Sequence, residues 1–523
     1  MSARDPDAIP DELAALRRSP VRAWIERVEG PARYLLVRTA ILRLLGLVYF
    51  VAFASAIQQA PALVGERGLM PARAWLDFVA HAKGSRLAGF ARLPSIFWID
   101  ASDGAITFAC ALGAALAVAV MAGVTNAGVM LALWILQLSL HAIGQTFWGY
   151  GWEIQLLETG LLAALLCPMK TWRPFASPPP LASIWLMRWL IVRVMLGAGL
   201  IKLRGDVCWR DLTCLVFHYE TQPNPSPLSW WFHQMPRGAH MAGAVFNYLV
   251  ELGAPLLLFS PWRPRDARRL AGGLFVLFQA VLIASGNLSF LNWLTVVPAL
   301  ACFDDATLER LVPARWRPKM APDATASRAH LRVARAYAFV VALLSVPPVV
   351  NLLSSEQQMN ASFEPLHLVN TYGAFGSVSR VRHEIVLEGT RDASVTDATR
   401  WEPYELPCKP GDPARRPCLV SPWHYRLDWQ MWFAAMSSYE DEPWIAMLAD
   451  KMLRGDRAIA PLFARDPFDG SPPRFVRAEL YRYELTRRGE PGYWKRARVG
   501  EYMRPMSKDD PELDAFLRER GMK

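Results

Sequence analysis

Charge is scarce in this chain. Asp, Glu, Lys and Arg together make up 20% of its 523 residues, against 53% hydrophobic ones. That balance excludes an ordinary soluble enzyme and is typical of a membrane protein. Catalytic motifs are missing as well: there is no G-x-S-x-G elbow, no H-E-x-x-H, no phosphate loop and no dinucleotide fingerprint. A soluble-type hydrolase or nucleotide enzyme would therefore lack its machinery. The 9 histidines are scattered, with no pair at ligand spacing on one helix face, so no metal and no cofactor is expected. Internal repeats and low-complexity runs are absent. Residues 1–33 have no signal-peptide shape, being polar and carrying Arg17, Arg18, Arg22, Arg27 and Arg33.

What is present is apolar length. Stretches of roughly 17–25 residues, enough to cross ~30 Å of hydrocarbon, recur near 37–58, 105–123, 126–145, 150–167, 183–203, 239–260, 269–286, 288–303 and 333–353. The expected fold is a membrane all-α, polytopic bundle of about nine spans. The pair around Gly286 and Asn287 is also readable as a broken or re-entrant helix. Before the bundle, residues 1–36 form a cytoplasmic segment in which 11–28 reads as an amphipathic helix on the membrane surface. Residues 37–353 make the transmembrane domain, with external segments 59–104 and 204–238. Residues 354–523 turn polar, Trp-rich and proline-interrupted. Period-two alternation marks strands at 380–389 and 474–485 and a weaker one at 372–382, and helical patterns lie at 429–436, 444–453 and 508–520. A C-terminal β-rich (α+β) soluble domain is expected there.

The net charge of +10 suggests nucleic acid until it is located. Residues 356–523 hold 25 Lys and Arg against 26 Asp and Glu, so the excess belongs to the hydrophobic part. There it has a topological meaning, and no nucleic-acid partner is expected. The basic N-terminus, Lys170 with Arg173, the loop of Arg263, Arg265, Arg268 and Arg269, and the loop from Arg310 to Arg332 all fall on one side of a nine-span map. The positive-inside rule makes that side cytoplasmic and puts the tail on the other. Cysteine placement gives an independent check. Cys110, Cys167 and Cys302 lie in spans, whereas Cys208/Cys214 and Cys408/Cys418 lie in segments assigned outside the cytosol, where disulfides persist. Chance clustering is the alternative.

Several polar groups sit where they are expensive. Glu153, Gln155 and Glu158 in the fourth span, Arg193 and Lys202 in the fifth, and Asn287 and Asn292 near the eighth form a candidate intramembrane polar centre. The two glutamates are expected to pair with Arg188, Arg193 or Lys202, and Glu251 in the sixth span belongs to the same category. Either structural ion pairs or a catalytic acid would fit. Lys202 reads either as a snorkelling helix-end lysine or as a buried base. The loop behind it gathers Arg204, Asp206, Trp209, Arg210, Asp211, His218, Tyr219 and Glu220. They form either a network tying the loop down or a face for a partner or lipid headgroup. In the tail, the Trp- and Arg-rich stretch 423–444, with Arg426, Asp428 and Trp429, and the nearby Arg380 offer either a recognition surface or the domain's own core.

Several long motifs occur in order: GLMPA and PSIFW with Ser102-Asp103, GQTFWGYGWEIQLLETG at 144–160, the 202–227 loop, GNLSFLNWL at 286–294, NTYGAFGSVSRVRHEIVLEGT at 370–390 and RLDWQMWFAA at 426–435. This wording resembles the lipase maturation factor family, with Glu153 where family sequences have an aspartate. The resemblance implies a multi-pass membrane protein that helps secreted lipases fold and assemble, its tail contacting clients on the lumenal side. High Ala, Arg and Pro content suggests a bacterial member. That would place the tail in the periplasm; a eukaryotic one would place it in the ER lumen. A shorter likeness, GLIKL at 199–203 followed by a tryptophan, is similar to the base-bearing segment of vitamin K-dependent carboxylase-like transmembrane proteins, and it would give Lys202 that role. The function expected is thus a membrane-anchored maturation factor for exported proteins, more non-enzymatic than enzymatic, with membrane lipid and client proteins as partners. The alternative is an integral membrane enzyme acting on a lipid-like or quinone-like substrate.

Overall fold

A computed structural model describes residues 20–30, 32–313, 315 and 326–523. Five helices in it are long and apolar enough to cross a membrane: Leu35–Val64, Asp103–Ala122, Leu181–Arg204, Pro264–Ser285 and Arg328–Leu353. Shorter helices stand among them: Ala127–Ile143, Gly151–Leu166 and Leu291–Cys302. Residues 237–257 are helical too, but with a π turn over Leu249–Gly253. Pro255 has no N–H to return to the carbonyl of Glu251 four residues back, and the widened turn sits at that gap. The chain is thus a helical membrane protein with five candidate spans among its described residues.

The expected surface helix at 11–28 lies partly outside the described residues. Its described part is Pro20–Glu29, and the end of this helix is not free on a surface. Val28 and Glu29 are buried, because the Glu29 carboxylate pairs with Arg188 and accepts from the Tyr34 hydroxyl. The next helix starts on a distant anion. Asp305 accepts from the N–H groups of Leu35, Leu36 and Val37 at 2.7, 2.9 and 3.1 Å, filling donors that the first turn leaves orphaned.

The tail carries a four-stranded antiparallel sheet in the order β2-β1-β3-β4: β1 Arg382–Thr390, β2 Glu402–Pro403, β3 Phe475–Leu485 and β4 Trp494–Ser507. Glu384 faces Tyr481 across β1 and β3, and Tyr483 faces Arg496 across β3 and β4. Helices Arg426–Ala434, Pro443–Leu453 and Pro511–Glu519 pack beside it. One apolar core continues from Ile41 and Leu190 in the bundle to Trp444 and Leu513 in the tail.

The weak strand expected at 372–382 does not form. This segment instead lies along the Leu181–Arg204 helix, where a Cβ on Gly197 would collide with the Tyr372 carbonyl and one on Gly205 with the Gly376 carbonyl. The Asp206 N–H donates to that Gly376 carbonyl at 2.9 Å. Gly197→Val should therefore push the tail segment off its helix and destabilise the protein by about 1–3 kcal/mol. Gly238→Ala, with open space at its Cβ, should be harmless or mildly stabilising. Thermal unfolding of the full chain in detergent distinguishes the two.

Candidate functional site: charged seams between bundle and tail

Glu158 and Arg193 come from neighbouring helices and form a buried ion pair. The tail closes it. Glu158 also accepts from the Asn370 backbone N–H at 3.1 Å, the Asn370 side-chain amide at 3.1 Å and the Tyr372 hydroxyl at 2.8 Å. Arg193 donates to the Asn370 carbonyl at 2.8 Å. A charge pair far from water needs such extra donors and acceptors to offset its desolvation.

Glu153 takes its cation from the tail itself. The Arg426 guanidinium stands 2.8 Å from it, lies 3.7 Å over the Trp148 ring and donates to the Phe147 carbonyl, while the Gln137 amide donates to Glu153 at 2.7 Å. Gln59 of the first span holds the same tail segment by both of its amide atoms, accepting from the Arg426 N–H and donating to the His424 carbonyl. Lys202 pairs with Glu251 on the π turn at 2.5 Å; Asn247 bonds both, and the Trp209 ring stands 5.2 Å from the ammonium.

The single polar centre expected from the sequence is therefore divided. Glu158 has one of its three expected cations, Glu153 has none of them, Arg188 belongs to Glu29, and Lys202 belongs to Glu251. Gln155 donates to Thr295 at 3.1 Å and Asn292 to Gln279 at 2.7 Å, as helix-to-helix hydrogen bonds. Asn287 turns to the tail, donating to the Cys418 carbonyl and accepting from the N–H groups of Val420 and Ser421. Each group bonds to the element packed against it, and sequence order does not reveal which element that is.

Both cysteine pairs are joined, Cys208 to Cys214 and Cys408 to Cys418, while Cys110, Cys167 and Cys302 are free and buried. The loop carrying the first pair is no open binding face. Trp209, His218 and Tyr219 are buried; Trp209 donates to the Phe375 carbonyl at 2.7 Å and His218 meets the Phe375 ring edge-on. Asp206 accepts from the Cys208 and Val378 N–H groups and pairs with Arg380 at 2.7 Å, and these contacts hold its carboxyl well below the usual range. Arg204 donates to Gln357, Arg210 to the carbonyls of Leu203 and Gly205, and Glu220 accepts from the Leu485 N–H. Burial raises Glu220 above the ordinary carboxylate range. Asp211 is exposed. The ligand atoms of Asp206, Cys208 and Cys214 approach within 4.8 Å of one another, but the sulfurs are bonded together and Arg380 holds the carboxylate.

In the tail, Arg426, Asp428 and Trp429 are buried, and of the named residues Arg380 is the one that reaches the surface. Trp429, Tyr150, Trp152 and His424 form one aromatic cluster, and burial drives the His424 ring far below its usual range. Three further participants went unread in the sequence. Arg382, Glu384 and Lys409 form a buried triad, in which Arg382 also donates to the carbonyls of Glu220 and Pro223 at 2.9 Å. Alternation around RHE marked a strand but not its ionic role. Asn370 and Tyr372 stood inside a recognised motif, yet nothing local linked them to Glu158.

Asp428 accepts from the N–H groups of Cys408 and Lys409 at 2.6 and 2.7 Å, and burial lifts its pKa from 3.8 to about 6. A carboxyl raised in the folded state stabilises most below its unfolded pKa, and that contribution is lost as pH climbs through the folded one. Stability should thus fall by roughly 2 kcal/mol between pH 4 and pH 6–7 on account of this group. Asp428→Asn should flatten that slope in denaturant unfolding of the full chain.

Comparison with known proteins follows the same division. The model for the "Lipase maturation factor transmembrane domain" matches residues 36–310, and that for the "Lipase maturation factor C-terminal domain" matches 368–504. Human "Lipase maturation factor 1" is 47% identical over 545 residues, covering 98% of this chain and 95% of the human one. The Bos taurus protein of that name is 45% identical over 97% of this chain and 94% of its own. "Lipase maturation factor 2" of Gallus gallus is 29% identical over 93% and 83%. No solved structure matches. With both domain models in register and near-complete coverage, the chain belongs to the lipase maturation factor family.

Proposed function

We propose that this chain is a membrane-anchored maturation factor that holds its tail as a rigid platform on the non-cytoplasmic side, where lipases exported through that membrane fold and assemble. The observation that carries this reading is the seam. Carboxylates inside the bundle, Glu153 and Glu158, are completed by tail residues Arg426, Asn370 and Tyr372. A platform fixed at that depth stands at a set height and angle over the bilayer, as a surface receiving newly translocated chains requires. Two disulfides in the platform and its neighbouring loop support an oxidising compartment. The named relatives are vertebrate proteins, which favours the ER lumen over a periplasm.

In this reading the shorter helices complete about nine spans, residues 37–353 are the transmembrane domain and residues 354–523 the client-facing one. Client contact falls to exposed tail groups such as Arg380, Phe433 and Met436, since Trp429 and Arg426 are committed to the interior. The enzyme alternative would need Lys202 as a base, and Lys202 is neutralised by Glu251.

Glu158→Gln should leave Arg193 short of its counter-charge, loosen the tail and cut the yield of active secreted lipase several-fold in cells lacking the native protein, with lipase mRNA unchanged. Lys202→Met, read by the same assay with tail protection from protease as a control, separates the classes. Loss of activity with the tail still docked would favour catalysis and count against the platform.

A further inference from the structure

A groove of about 450 Å³ opens sideways between the Leu181–Arg204 helix, the end of the 237–257 helix and the Arg328–Leu353 helix. Small residues Ala338, Ala342 and Ser345 leave the space, and Trp185, Trp189 and Phe259 line it. All three walls come from segments within the bundle, two of them long enough to span. The groove ends near the basic loops.

The loop that follows Phe259 is cationic. Four residues beyond Phe259, the Arg263 guanidinium covers the Trp262 ring at 5.2 Å, and both side chains are exposed. Arg265 is exposed nearby, its guanidinium lying where a Cβ on Gly30 would stand. The acid in this loop, Asp266, faces Arg269 at 3.7 Å. The Pro20–Glu29 helix borders the same end, with the Trp24 ring tilted against Trp185 at 5.3 Å. Arg188 cannot serve as a headgroup ligand, because Glu29 and Tyr34 already hold it.

We infer that this groove is a binding site for one anionic glycerophospholipid of the leaflet facing the basic loops. An acyl chain fills the channel between Trp189 and Ala342, and the phosphate lies against Arg263 and Arg265. Such a lipid would brace the helix that carries Arg193 and Lys202, and so the bundle side of the seam.

The test is native mass spectrometry of the delipidated, monodisperse full chain titrated with dioleoyl phosphatidylserine or dioleoyl phosphatidylcholine. One phosphatidylserine should be retained where phosphatidylcholine is not. Ala342→Trp, which fills the channel, should lower its retention at least about tenfold. Val340→Trp, on the exposed side of the same helix, should not. Equal retention by wild type and Ala342→Trp overturns the site, as does a second copy of the chain found cross-linked across the groove. Equal retention of both lipids overturns the assignment of an anionic headgroup.

Discussion

A charge inside a helical membrane bundle must be paired, and in this protein the tail supplies much of the pairing. Glu153 would stand unpaired without Arg426, and Glu158 would lose three of its donors without Asn370 and Tyr372. Leaving a buried charge uncompensated destabilises by about 3–5 kcal/mol, a large share of the stability of any domain. The two halves of the chain are therefore energetically one body. Replacing such pairs with packed apolar side chains can be neutral or stabilising. Their value is then geometric: they fix where the tail sits.

The same logic recurs at the other end of the bundle, there without the tail. Glu29 and Asp304 gather Arg188, Arg268 and Arg269, and Asp305 caps the first long helix. There arginines near the starts of the Leu181–Arg204 and Pro264–Ser285 helices serve as partners for buried acids. On the opposite side, Asp206 with Arg380 clips the first disulfide-bearing loop to the tail, and Asn287 with the Cys418–Ser421 backbone clips the second to the bundle.

Much of this was legible in the residues themselves. Apolar length located the long spans, alternation located β1 and β3, and the spacing of cysteines singled out the two pairs that are joined. Pairing partners were not legible, since Glu153 and Arg426 are far apart in sequence and hydropathy carries no contact information. The strand β4 was missed because it is an exposed, bulged edge whose KRAR run masks alternation. The segment 372–382 reads as a strand because it is extended, yet glycines on a helix, not a neighbouring strand, receive it. The aromatics of 423–444 read as either a surface or a core; Trp429 and Trp444 are buried, Trp423, Tyr425, Trp432 and Tyr439 half-buried, and Phe433 is exposed.

A double-mutant cycle on Glu153 and Arg426 tests the central claim most directly. The full chain is unfolded in detergent as wild type, Glu153→Gln, Arg426→Met and the double variant. If the carboxylate is completed by the tail, Arg426→Met alone should cost about 3–5 kcal/mol, and adding Glu153→Gln should restore a good part of it. Losses that simply add would show that the two groups do not depend on each other, and the tail would then be resting on the bundle without being held by it.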